Sequence, residues 1–147
     1  MRYFLILAAF LFSLTAMAAG ELGIGAMIGN PTGINGKYWL TKSTAVDGGM
    51  AFSIGGRSRF TLHSDYLFHK DGALVFNDEH PLDVYYGIGG RMKFADDIQL
   101  GVRLPFGVAH MFENSGADVF GELAPIVDFI GRTGLEISFA VGGRYYF

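Results

Sequence analysis

Apolar and polar residues alternate one for one along most of this chain, and the final stretch shows the pattern best. Leu135, Ile137, Phe139, Val141, Tyr145 and Phe147 fall on one face, interrupted by Gly143, while Glu136, Ser138, Ala140, Gly142, Arg144 and Tyr146 fall on the other. A period of two belongs to an extended strand with one apolar side. Upstream, Leu82, Val84, Tyr86, Ile88, Met92 and Phe94 oppose Asp83, Tyr85, Gly87, Gly89, Arg91 and Lys93. Ile98, Leu100, Val102, Leu104, Phe106 and Val108 likewise oppose Gln99, Gly101, Arg103, Pro105 and Gly107. The alternation weakens but persists through Val46 to Ile54 and Phe60 to His69.

Turn residues cut the pattern into about eight strands: Gly20 to Gly29, Gly33 to Thr41, Thr44 to Ile54, Arg59 to His69, Leu82 to Phe94, Ile98 to Phe112, Ala117 to Ile130 and Leu135 to Phe147. The longest link is Lys70 to Pro81, expected to be a loop. An even number of consecutive strands of this length predicts an all-β fold, an eight-stranded antiparallel up-and-down transmembrane barrel.

The N-terminus changes the picture of where such a ring would sit. Arg2 precedes an almost uncharged apolar run from Tyr3 to Leu14, then small residues to Ala16-Met17-Ala18. That is the layout of a secretory signal peptide. The run is shorter than the roughly 20 residues a membrane-crossing helix needs. Residues 1–18 are therefore expected to be cleaved near Ala18/Ala19, leaving 19–147 as one domain. Half the chain is apolar, yet no later stretch approaches membrane-helix length. Strands that show lipid only every second residue reconcile the two facts.

Composition excludes several functions. With no cysteine, neither a disulfide framework nor a thiolate metal site is possible. Eleven Lys and Arg stand against 14 Asp and Glu, scattered rather than striped, so no nucleic-acid footprint exists.

Alternation alone leaves open which face points inward, because a soluble lipocalin-like periplasmic barrel has the opposite arrangement. The polar face decides for the membrane form: it is mostly Gly, Ala and Ser with isolated charges, as a narrow interior demands. Lys37, Arg59, Arg91, Lys93, Arg103 and Arg144 fall there with Glu21, Asp47, Asp65, Asp83, Glu122, Asp128 and Glu136, and His63 shares the face. Buried ions must be paired, so the near balance predicts a cross-linked, plugged lumen. Turn positions suggest the pairs Glu122 with Arg144, Asp128 with Arg103, and Asp47 with Lys37. The G-x-R steps Gly89/Arg91, Gly101/Arg103 and Gly142/Arg144 suggest glycines that make room for guanidinium groups.

Gly142, Tyr145 and Phe147 stand at the spacing of the signal that outer-membrane assembly machinery reads on final strands, with Ala140 departing from its usual polar first position. Together with Asn30-Pro31-Thr32-Gly33, His63-Ser64-Asp65-Tyr66-Leu67-Phe68-His69, Gly87-Ile88-Gly89-Gly90-Arg91 and Phe120-Gly121-Glu122-Leu123-Ala124-Pro125, this resembles an uncharacterised family of small bacterial outer-membrane β-barrel proteins. The resemblance covers essentially all of 19–147. It implies a Gram-negative outer-membrane location, with membrane lipid and the assembly machinery as partners, and no activity.

Three chemistries remain to be weighed. His63, Asp65 and His69 share a strand face, and imidazole with carboxylate suits zinc. His63 and His69, however, are six positions apart, roughly 20 Å of extended strand, and sequence locates no ligand on a neighbouring strand. No metal or other cofactor is assigned. A lipid A-modifying enzyme needs a Ser-His-carboxylate set at the outer leaflet. The outward-facing His110 and Ser64 lie two strands apart, so no catalytic residue is assigned. A pore is disfavoured by Trp39, Tyr85, Phe120 and Tyr146 on the inward face, since an eight-stranded ring is only wide enough for its side chains to fill. The expectation is an envelope-structural or binding protein, with surface adhesin or ligand-binding barrel as the alternative. Val75 and Phe76, apolar within the 70–81 link, could dock a partner but more simply tuck against the rim.

Overall fold

A computed structural model describes residues 20–30, 32–53, 59–76, 80–131 and 133–147. The signal peptide, Ile54 and the whole 55–58 turn expected from sequence lie outside the described residues. The described chain is all strand and turn: β1 (Leu22–Asn30), β2 (Gly33–Trp39), β3 (Thr44–Ser53), β4 (Arg59–Phe76), β5 (His80–Phe94), β6 (Ile98–Arg103), β7 (Phe106–Phe112), β8 (Ala117–Ile130) and β9 (Gly134–Tyr146).

Each strand pairs antiparallel with its chain neighbour, and β1 returns to pair with β9 from Gly23↔Tyr146 to Asn30↔Phe139. The result is a closed ring of eight hydrogen-bonded strands. Closure leaves no sheet edge with unpaired backbone groups. Nine segments make eight positions because β6 and β7 are one strand interrupted at Leu104-Pro105. Both halves keep the same register against β5, Gly89↔Arg103 and Tyr86↔Phe106. Proline cannot donate to the ladder. Gly87 still donates to the Pro105 carbonyl and Leu104 to that of Pro125, each 3.0 Å, but neither proline returns a bond, so two neighbouring rungs are halved.

Residues 70–76 and 80–81 of the expected loop are strand, which corrects the strand limits at His69 and Leu82; residues 77–79 lie outside the described residues. β4 and β5 continue as a hairpin with Leu74↔Leu82, Val75↔Pro81 and Phe76↔His80 in register. Between Lys70↔Val84 and Leu74↔Leu82, three residues of β4 stand against Asp83 alone. Gly72 absorbs this bulge at φ +60°, where a side chain is disfavoured, and its N–H donates to Asp83 Oδ1 at 3.0 Å. The local turn chemistry of Lys70-Asp71-Gly72 is thus spent within a strand. The two strands extend past the ring at the end that holds Gly20 and Phe147.

Side chains sort by parity, as alternation requires. Ile24, Ile28, Phe52, Ile88, Phe106, Leu135 and Phe139 point out and are exposed, Leu135 by 72%. Pointing in are Lys37, Asp47, Asp65, Arg91, Arg103, Asp118, Asp128 and Arg144, all buried. The ring is therefore inside out compared with a soluble protein.

Candidate functional site

The interior is filled by ionic and aromatic groups, and its organisation follows from the strand registers. Asp65 on β4, Gly89 on β5 and Arg103 on β6 lie in one cross-strand row. A second row, offset by one strand, holds Arg91 on β5, Gly101 on β6 and Asp128 on β8. In each row the middle residue is glycine, and the two charged side chains meet above it. A Cβ at Gly89 would overlap Asp65 Oδ1, and one at Gly101 would overlap Asp128 Oδ1. The ions reach over a strand that carries no side chain. Arg103 Nε lies 2.9 Å from Asp65 Oδ2, and Arg91 Nη2 reaches Asp128 Oδ2 at 2.7 Å. The third G-x-R step differs. Gly142 stands between Met27 and Phe120, the Phe120 ring lies against it, and Arg144 stacks on that ring at 4.1 Å.

Glycine in these steps therefore accommodates the partner, carboxylate or ring, rather than the guanidinium that sequence reasoning placed there. The expected pairs change as well. Glu122 faces Ala140, and it is Asp118 that faces Arg144. Arg144 binds Asp118 in a fork, Nε to Oδ1 and Nη2 to Oδ2, both 3.0 Å, and the Tyr146 hydroxyl donates to Oδ2 at 2.9 Å. Glu122 instead pairs with Arg103 and accepts from the Tyr85 hydroxyl at 3.0 Å. Asp128 serves Arg91 rather than Arg103, and Arg91 also reaches Glu136 at 3.1 Å. Asp47 is in register with Lys37, but the Lys37 ammonium turns to His69 Nε2 at 2.7 Å and to the Trp39 ring at 4.2 Å. Asp118 escaped the sequence reading, although its parity with Phe120 and Glu122 marks it as inward.

Two cavities open at the ends and share no lining residue. One, about 430 Å³, is lined by Arg59, His63, Arg91, Lys93, Arg103 and Glu136 among others. The other, about 780 Å³, lies at the termini and holds Glu21, Asp71, Asp83 and Glu113 against Lys42. The lining of the first cavity is mainly basic and that of the second mainly acidic among the described residues. Between them stand Lys37, Asp65, Leu67, His69, Tyr85, Phe120 and Arg144, all buried. Among the described residues they form a buried layer across the interior.

Of the histidines weighed for metal, His69 is taken by Lys37 and stacks on Tyr85 at 5.0 Å. His63 lies beside Asp65 and also beside Asp47, a cross-strand neighbour that sequence did not locate; one donor atom from each of the three falls within 4.8 Å of the others. His110 Nδ1 contacts the Pro81 carbonyl at 3.0 Å, whereas the Ser64 hydroxyl donates to the Asp47 carbonyl. The two therefore serve different backbone partners. Tyr145 and Phe147 are exposed and meet edge to face at 5.2 Å. Comparisons with protein-family models, with curated proteins and with solved structures yield no match for this chain.

Proposed function

We propose that this chain is a small integral β-barrel of a Gram-negative outer membrane, exported on a cleaved signal peptide, with a plugged, charge-paired lumen and an envelope-structural or binding role without catalysis. One observation carries the reading: a closed ring whose large apolar side chains are exposed all round while its charges are buried and paired inside. Water would penalise that exterior, and lipid would not. The placing of aromatic residues supports it. Phe52, Phe60 and Phe94 cluster on the outer face at one end, with centroids 5.1 and 5.7 Å apart. Tyr66, Phe68 and Tyr86 cluster toward the other end, at 5.1 and 5.6 Å. Phe60 and Phe68 are eight positions apart on β4, about 26 Å of strand and about 20 Å of height at the 35–45° strand tilt of such barrels, which lies within the roughly 25 Å apolar band.

The sealed middle layer favours structure over conduction, and the exposed Leu74 and Val75 on the projecting hairpin are where a binding role would reside. Gly142, Tyr145 and Phe147 on the closing strand serve the assembly machinery in this reading. The test is fractionation with gel mobility. Membrane recovery in detergent, and different migration of boiled and unboiled samples, is the expected outcome. Recovery as a soluble periplasmic protein with unchanged mobility would favour the lipocalin-like alternative.

A further inference from the structure

The ion pairing of the lumen is uneven at one point. Arg91 and Lys93 answer Asp128 and Glu136, and Arg144 answers Asp118. Around Arg103, by contrast, three carboxylates converge: it pairs with Asp65 and Glu122, and Asp47 stands directly opposite Asp65 in the β3–β4 register. Two carboxylates facing each other across a strand pair repel. Lys37, the other register neighbour of Asp47, gives its ammonium to His69. Asp47 makes no ion pair among the described residues.

The donor atoms at this point are also unspent. Asp47 Oδ1 and His63 Nδ1 are buried without a hydrogen-bond partner among the described residues, and the Asp65 carboxyl has only the facing carboxyl of Asp47 and the misaimed Arg103 Nε beside it. Arg103 Nε is near enough to Asp65 Oδ2 for an ion pair, at 2.9 Å, but its N–H is not aimed at that oxygen. Asp47, His63 and Asp65 are each at least nine-tenths buried. Buried polar groups left unmatched are costly, and a cluster of them calls for an explanation. The backbone makes room for the cluster. Gly49 is in register with His63 and Gly89 with Asp65, and a Cβ at either glycine would overlap the imidazole or the carboxylate.

We propose that Asp47, His63 and Asp65 form a binding site for one divalent transition-metal cation, of the zinc class, within the ring. One imidazole and two carboxylates suit a borderline cation such as Zn²⁺ better than a soft ion or an all-oxygen ion. The three donors lie within 4.8 Å of one another, a spread that small side-chain movements bring to the 2.0–2.2 Å ligand distances typical of zinc. The cation offsets the carboxylate excess that Arg103 alone leaves. His63 and Arg103 line the basic-rimmed cavity of about 430 Å³, so the site is reached from the end remote from the termini and the cation's remaining position faces that space. This goes beyond the proposed envelope role and does not depend on it, because the ring and its register alone assemble the three ligands.

The experiment uses the folded, detergent-solubilised protein, stripped with a chelator and equilibrated with micromolar Zn²⁺. Metal content is read by elemental analysis, and heat stability by the shift between folded and unfolded bands. The expected result is one zinc per chain and a higher unfolding temperature with zinc than without. Asp47→Asn and His63→Gln should each weaken binding by at least about tenfold, the scale on which metal sites respond to lost interactions, while His110→Gln should leave it unchanged. Asp47→Asn should also raise the unfolding temperature of the metal-free protein, because repulsion from Asp65 is relieved, and should abolish the zinc-dependent rise. Failure to retain zinc at one per chain, or equal retention by the Asp47 and His63 variants, would overturn the proposal. No gain in stability on Asp47→Asn in the metal-free protein, with no zinc-dependent rise in the unaltered chain, would show that the carboxyls share a proton instead of a cation and would overturn the proposal.

Discussion

Removing Asp118 tests the inward network at one of its enclosed ion pairs. Asp118 and Arg144 are 3% and 4% exposed, and Asp118→Asn replaces a carboxylate that accepts two guanidinium bonds and one from the Tyr146 hydroxyl. An amide can accept but brings its own hydrogens against those donors, leaving the guanidinium without its counter-charge. Breaking one side of a buried pair costs about 3–5 kcal/mol. Arg144→Met strands Asp118 instead, at similar cost, and forfeits the contact with Phe120. The double variant strands neither ion, so its loss should fall below the sum, with a coupling of about 1.5–3 kcal/mol. Folded fraction against denaturant, read on unboiled gels, gives all four stabilities. The parallel cycle of Glu122→Gln with Arg144→Met should couple less, because Glu122 engages Arg103 and Tyr85. Additive losses for Asp118 and Arg144, or stronger coupling through Glu122, would refute the β8–β9 register from which the network is argued.

Gly101→Ala should destabilise the ring by about 1–3 kcal/mol, the usual cost of overpacking, because its Cβ meets Asp128 Oδ1; an unchanged denaturation midpoint would count against the over-strand geometry. Val75→Lys, on the exposed hairpin, should leave the ring's stability within about 0.5 kcal/mol while removing an apolar contact, so a large shift in midpoint would mean that the hairpin packs against the ring. Phe147→Ala should lower the yield inserted into membranes more than the stability of rings already folded, since its side chain is exposed and touches mainly Tyr145. Equal yields by quantitative immunoblot would remove the assembly-signal reading.

The ring was legible in the sequence because strand parity is a one-residue property. A side chain on the wrong face would place a charge on the apolar exterior or an isoleucine among ions, so the sequence must alternate wherever the wall is two-sided. That argument reads Leu135 to Phe147 without any knowledge of neighbours. It failed between Lys70 and Pro81, where Asp71-Gly72 and Asn77-Asp78 carry turn residues. Gly72 and Asp83 combine those signals into a bulge, and the strand continues past it. Local turn chemistry does not distinguish a bulge from a loop, because both need a glycine at positive φ.

Pairing was less legible than parity for a reason the rows make plain. An estimate of which charges meet was made between adjacent strands, and it depended on how many residues each turn consumes. With Asp128 paired to Gly134, Arg144 arrives opposite Asp118, four positions from Glu122. A miscount that preserves parity changes the partner without disturbing the apolar face. More fundamentally, two of the ion pairs skip a strand: Arg91 on β5 meets Asp128 on β8 across β6, and Arg103 on β6 meets Asp65 on β4 across β5. Adjacent-strand reasoning does not reach such pairs. The sequence nevertheless carried their signature in Gly89-x-Arg91 and Gly101-x-Arg103. Each glycine clears the row in which a neighbouring strand's arginine meets its acid, and the arginine two positions on uses the next row. In a lumen only wide enough for its side chains, an ion pair that spans three strands requires the middle strand to contribute no side chain. The repeated step is thus a spacing rule for packing ion pairs inside a narrow ring.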